Sequence, residues 1–207
     1  MTVRRRLDPA QRHGQLLEVG AALFAERPYD EVRMEDVATR AGVSRALLYR
    51  HFPAKRDLFA AVYRHAADRL LETTQLDPDG SLPDQVAAGL DAHVDYFVAN
   101  RNTVLAANRV LAGDPKIQAV INDELAELQR RLLDAIGPEG PRRPLVSAAL
   151  WSWLVFVRTL CVDWLADPQA YSRDELRAVC SGALLGALDA AVTTVDPVPD
   201  ERDRSVS

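Results

Sequence analysis

Cysteine is scarce: Cys161 and Cys180 are the only two in 207 residues. They are too few for a disulfide framework and too far apart for a CxxC metal clip, so two buried thiols in a reducing compartment are expected. Long apolar runs are lacking as well. The most hydrophobic stretch, residues 145–157, holds Ser147 and Ser152 and is cut by Arg158, short of the roughly 20 apolar residues that a membrane-spanning helix needs. The basic start, MTVRRRLDPA, has no apolar segment behind it and does not read as a secretory signal. A cytoplasmic protein with no membrane segment is expected. No HExxH, GxSxG or P-loop signature occurs, nor paired carboxylates on an apolar helix face, so a helical enzyme is the weaker alternative. The four histidines are scattered. His65, His93 and Asp91 could bind a metal, but the spacing is a weak case, and neither a metal nor another cofactor is expected.

What remains is an ordinary globular composition, 48% hydrophobic and 27% charged, with ample material for a core. The net charge of −5 conceals an asymmetry. Residues 1–65 hold 12 Lys/Arg against 8 Asp/Glu, whereas the rest hold 13 against 22. A basic N-terminal module on an acidic body implies that only the first part meets a polyanion.

Nearly every segment carries a helical period and none alternates as a strand would, so the chain reads as all-α with about nine helices. Leu16, Val19, Gly20, Leu23 and Phe24 form the apolar face of a first helix, opened by the cap Asp8 and by Pro9. Met34, Val37, Ala38 and Ala41 mark a second, which Gly42 ends. Ser44 caps a third over residues 44–52, and Pro53 stops it. Longer helices follow at 55–74, 83–100, 103–112 and 115–136, then 144–166 and 172–195, the last opened by the capping box Ser172–Glu175. The tail at 196–207 is polar, charged and Pro-containing, and reads as disordered.

The segment VATRAGVSRALLYRHF, residues 37–52, carries the functional signal. Two helices meeting at a tight corner need a small residue at the contact, a residue that tolerates the left-handed conformation, and an apolar residue after it. Ala38, Gly42 and Val43 have those spacings. Leu48 and Phe52 turn inward, which leaves Arg45, Ala46, Leu47, Tyr49, Arg50 and His51 largely outward. A major groove admits one such helix, and Arg, Tyr and His suit guanine edges and phosphate oxygens. Ordinary bundles contain such corners too, but a mere corner leaves the outward Leu47 and the local positive charge unexplained.

Residues 10–59 resemble the N-terminal domain of the TetR (tetracycline-repressor) family, whose IAxxAGVSxGxLYxHFxxKxxL pattern reads here VATRAGVSRALLYRHFPAKRDLF. Ala22, Leu23 and Phe24 at the end of the first helix also fit. The resemblance covers about a quarter of the chain. It implies an N-terminal three-helix DNA-binding domain at residues 8–53 and a helical ligand-binding and dimerisation domain at 54–195. Carried over by position, Arg45, Ala46, Leu47 and Arg50 face base edges, while Ser44, Tyr49, His51 and Lys55 hold phosphates. Arg33 stands where the family usually has a capping Thr or Ser; an arginine there can still reach a phosphate. Ala46 replaces a common Gly and Ala54 a common Ser. Arg4, Arg5 and Arg6 form either a DNA-tracking arm or a solvated tail.

The resemblance further implies a small-molecule pocket and a homodimer through the last two helices. Gly182, Ala183, Gly186 and Ala187 let a partner helix approach closely, and two-fold symmetry matches a palindromic double-stranded operator. Candidate pocket residues are Leu70 on the fourth helix; His93, Tyr96, Phe97 and Asn100 on the fifth; and Asn108 and Arg109 on the sixth. Trp151, Trp153, Phe156, Val157 and Leu160 join them from the eighth, although aromatics at helical spacing serve equally well as plain core. The expected function is a ligand-responsive regulator, most simply a repressor released by a small, mostly apolar effector. An architectural or activating DNA binder without a ligand is the alternative.

Overall fold

The computed structural model describes residues 8–73, 80–137 and 140–193. The described residues form nine α-helices and no strand: α1 (Pro9–Glu26), α2 (Met34–Ala41), α3 (Arg45–His51), α4 (Lys55–Thr73), α5 (Leu82–Ala99), α6 (Arg101–Leu105), α7 (Pro115–Ile136), α8 (Arg143–Ala166) and α9 (Arg173–Thr193). The all-α expectation is met. The Arg4–Arg5–Arg6 arm and the tail at 196–207 lie outside the described residues.

Helix starts follow local side-chain chemistry. The Asp8 carboxylate accepts from the Gln11 backbone N–H at 2.8 Å while Gln11 answers the Asp8 N–H, closing a capping box ahead of Pro9. Ser44 Oγ accepts from Leu47 N–H at 3.2 Å, Asp114 accepts from Lys116 and Ile117, and Ser172 and Glu175 exchange bonds at the head of α9. Arg33 precedes α2 without any side-chain cap, as its substitution for a hydroxyl residue requires. Gly42 then ends α2 at φ 63°, the left-handed region where a Cβ would be strained.

One stretch departs from its sequence period. The helix expected at 103–112 is instead the short α6 followed by a π-helical turn, Ala106–Val110. The wider turn lets Asn108 bond back to Val104 O at 2.8 Å while its own oxygen faces α8; inserted turns of this kind occur frequently at functional sites.

The first four helices share an apolar core. Phe24, Tyr29 and Phe59 pack edge-on or stacked, with Phe24 and Phe59 centroids 5.0 Å apart. At Gly20 a Cβ would meet Leu58 at 3.1 Å, so glycine there permits the close crossing of α1 and α4. The body is organised around α8, which packs against α5, α6, α7 and α9. By length and composition α8 is apolar enough to cross a membrane, with mean hydropathy 1.8 over its best window, so the sequence expectation rested too heavily on the break at Arg158. Its inner face buries Leu150, Trp153, Leu154 and Val157 together with that Arg158, as a core helix does.

Both cysteines are free and buried. Burial pushes Cys161 up to about 12 and Cys180 up to about 11, as expected for inert thiols.

Candidate nucleic-acid interface and effector cavity

α3 is only seven residues long, and its faces divide cleanly. Leu48 and Phe52 are buried against the first helices. Ser44, Arg45, Ala46, Tyr49 and Arg50 are exposed, whereas Leu47 and His51 are half-buried, so these two are less outward than their sequence positions suggest. Arg45 is ion-paired with Glu35 on α2. Arg33 and Arg50 are exposed and make no ion pair among the described residues. His51 lies 5.9 Å from the His13 ring; burial and the nearby positive groups of His13, Arg50 and Arg12 hold its pKa below the usual imidazole range.

Lys55 has a role that its motif position did not disclose. Its Nζ donates to Tyr29 O at 2.8 Å and sits 4.3 Å above the Tyr29 ring. The start of α4 is thereby clamped to the turn after α1. Lys116 and Asp57 pair between α7 and α4.

The body contains a buried polar cluster that sequence reading missed. Arg158 and Glu124 are only 6% and 4% exposed and face each other at 3.4 Å. Arg158 Nε donates to Asn108 Oδ1 at 3.0 Å, another of its nitrogens donates to the Tyr63 hydroxyl, and its guanidinium lies 5.7 Å from the Phe97 ring. Burial raises the Glu124 carboxyl, and Arg158 opposes that rise. The signal was present in the sequence: an arginine interrupting the most apolar helix, with Glu124 on the inner stripe of α7.

A cavity of ≈ 90 Å³ lies beside this cluster, walled by α4, α5, α7 and α8. Leu70 closes it from α4; Gln85, Val86, Gly89, Leu90 and His93 line it from α5. Leu125, Leu128, Arg131 and Leu132 come from α7, and Trp153, Leu154 and Val157 from α8. Of the sequence candidates, Leu70, His93, Trp153 and Val157 meet here. Asn108, Arg109, Phe156 and Leu160 line instead a wider, open hollow of ≈ 550 Å³ between α7, α8 and the π-helical turn. Tyr96, Phe97, Asn100 and Trp151 line neither: Phe97 is core, and Asn100 caps the end of α5 through Tyr96 O. The aliphatic stripes of α5 and α7, not the aromatics, supply most of the wall. The metal alternative lacks its geometry, for no three His, Cys, Asp or Glu side chains converge among the described residues. Asp91 is engaged by Arg173 and Arg177, each at 3.1 Å.

Gly182, Ala183 and Gly186 are exposed on α9, and a Cβ added at either glycine would meet nothing within 4 Å. Val179 on α9 and Leu145, Val155 and Phe156 on α8 are large apolar residues that also face outward.

Residues 16–62 match the family of bacterial regulatory proteins described as tetR family. The HTH-type transcriptional activator FasR of Mycolicibacterium smegmatis is 41% identical over 66 residues, 32% of this chain and 30% of that protein. The matched segment thus spans under a third of that relative. Among solved structures, a tetR-family transcriptional regulator from Streptomyces coelicolor superposes with a TM-score of 0.77 at 22% identity, over 90% of this chain and 84% of that one. The regulator FadR from Bacillus subtilis, in complex with stearoyl-CoA, does so with a TM-score of 0.60 at 16% identity, over 89% and 100%. At such identities the likeness is one of fold.

Proposed function

We propose that the chain, whose residues 16–62 match the tetR family and whose helices superpose on a tetR-family regulator, is a cytoplasmic, ligand-responsive transcriptional regulator of that family. In this reading it is a homodimer that binds a palindromic operator as a repressor and is released by a small, mostly apolar effector. The observation that carries the proposal is the exposed recognition surface of Ser44, Arg45, Ala46, Tyr49 and Arg50, set out from the body by the left-handed turn at Gly42. In its division of labour, residues 8–53 bind DNA and residues 54–195 sense and dimerise.

Arg45 and Arg50 read base edges beside Ala46 and Leu47, while Arg33, Ser44, Tyr49 and His51 hold phosphates. Lys55 contributes chiefly by fixing α4, since its ammonium is committed to Tyr29. The outward apolar face of α8 and α9, with Gly182, Ala183 and Gly186 at its thinnest part, supports the two-fold interface. Two recognition helices then meet half-sites about 34 Å apart.

The cavity supports ligand response. Its ≈ 90 Å³ is smaller than the ~150 Å³ of a cavity that holds a benzene ring, so an occupant seated wholly inside presses on its walls. Leu70, on the far end of α4, is one of those walls. Displacing it tilts the helix whose other end is clamped to the DNA-binding module, and phosphate contacts that depend on half-site spacing are lost. The complex of a similarly folded regulator with stearoyl-CoA is in keeping with an effector that carries an aliphatic chain. A relative described as an activator leaves activation as the second reading; occlusion of a promoter is the simpler outcome of operator binding.

The test is selection of bound duplexes from a random pool, followed by titration at several salt concentrations. The proposal requires a palindromic consensus, affinity that falls steeply with salt, and at least a thousandfold preference over random duplex. Equal affinity for selected and random DNA would favour an architectural binder, and no binding at low salt would exclude both.

A further inference from the structure

His93 Nε2 is the one buried side-chain nitrogen or oxygen without a hydrogen-bond partner among the described residues. The ring packs against Phe97 with centroids 4.1 Å apart, and the residue lines the cavity. Unpaired buried nitrogens are costly, and those that persist call for an explanation. Burial and the nearby Arg158 hold the imidazole pKa down at about 3, so near neutrality the ring is uncharged and presents one N–H and one lone pair.

The nearby cations are already engaged. Arg131, at the cavity edge, pairs with Glu127 at 2.8 Å and donates to Leu71 O at the end of α4. Arg158 lies over the Phe97 ring and pairs with Glu124. A carboxylate drawn into this aliphatic cavity would lose its hydration, and the two cations near it already share their charge with Glu127 and Glu124. A neutral hydroxyl, carbonyl or amide loses less and can bond to a neutral imidazole. The terminal ring torsion of histidine is broad and two-fold, so either edge of the ring can turn toward a bound group.

We propose that the cavity selects an uncharged aliphatic molecule with a single hydroxyl, carbonyl or amide group, and that His93 recognises that group by a hydrogen bond. This rests on the effector reading above and narrows it: the inner part of the ligand bears no anionic head. His93 supplies specificity, while Leu70, Leu90, Leu128 and Trp153 supply the apolar contact.

Trp153 provides the readout, because its indole lines the cavity. In a Trp151→Phe/Trp164→Phe background it is the only tryptophan left, and its emission is titrated with 1-octanol and with octanoate at pH 7. The proposal expects a saturable change with 1-octanol and binding of octanoate at least tenfold weaker. His93→Phe should weaken 1-octanol about tenfold, His93→Gln should restore most of that loss, and neither should alter the response to benzene. Gly89→Leu should abolish binding of all three probes, since a Cβ there points into open space and a leucine fills the cavity. Octanoate binding as tightly as 1-octanol, or His93→Phe and wild type binding 1-octanol alike, would overturn it. DNA affinity is measured on the same samples without any probe. Probe binding by a protein that ignores DNA would refute the regulator and leave the site standing.

Discussion

The two ends of α4 sit in opposite chemical settings. Around Lys55 and Phe59 the interior is apolar, built from Phe24, Tyr29, Leu48 and Leu58, and the charged groups lie at the surface in exposed pairs such as Arg40 with Glu26. Around Tyr63 and Leu70 the interior holds a buried arginine, a buried glutamate, an imidazole whose Nε2 has no partner, and a cavity. The first region presents side chains outward from a filled apolar core. The second has polar groups and space that a fold built only for stability would fill. What the contrast teaches is where the proposed response would originate: the cavity lies in the body, against the far end of α4.

The largest expected effect comes from the buried pair. Arg158→Ala leaves Glu124 unpaired among apolar side chains and should cost about 3–5 kcal/mol of unfolding free energy. Removing Arg40, whose pair with Glu26 is solvent-exposed, should leave the denaturation midpoint nearly unchanged. Chemical denaturation of the two variants side by side measures the contrast, and similar losses would abolish it.

Acidity gives the next contrast. His93 is depressed from 6.5 to about 3 in the folded protein. A depressed histidine contributes stability that is full above the unfolded pKa and lost as pH falls from 6.5 toward 3. Between pH 7 and pH 5 the loss should be about 2 kcal/mol. The His51 shift has the same sign, so the part belonging to the body is the part of the slope that vanishes in His93→Gln, seen in urea titrations at the two pH values.

On the presenting side, Arg45→Ala should leave folding intact, because the residue is exposed and pairs only with Glu35. It should cost about 1–3 kcal/mol of operator affinity concentrated at one base pair. Competition against duplexes varied singly along the site reads this directly. A uniform loss on every sequence would reassign Arg45 to a phosphate.

Legibility in the sequence follows the same divide. Asp8, Gly42, Ser44 and Ser172 act through bonds to backbone only a few residues away, so the helix starts and the corner before α3 could be read from the letters alone. The cavity could not, because it is made by four helices whose relative rotation is set by packing. Aromatic candidates drew attention to Trp151, Tyr96 and Phe97, yet the wall is mostly leucine and valine at ordinary core spacing on α5 and α7. Nor did the motif disclose that Lys55 is tied to Tyr29, a contact spanning 26 positions. The pairing of Arg158 with Glu124 spans 34; a lone arginine in an apolar helix announced a partner without naming it.

The most direct measurement of the account is the operator affinity of Leu70→Trp beside wild type, using one duplex selected from the random pool. The larger ring overfills the cavity at the far end of α4, with overpacking strain of about 1–3 kcal/mol available to displace that helix. If the two regions are coupled through α4, affinity should fall about tenfold or more while helicity and dimerisation persist. Unchanged affinity in a folded, dimeric variant would contradict the coupling.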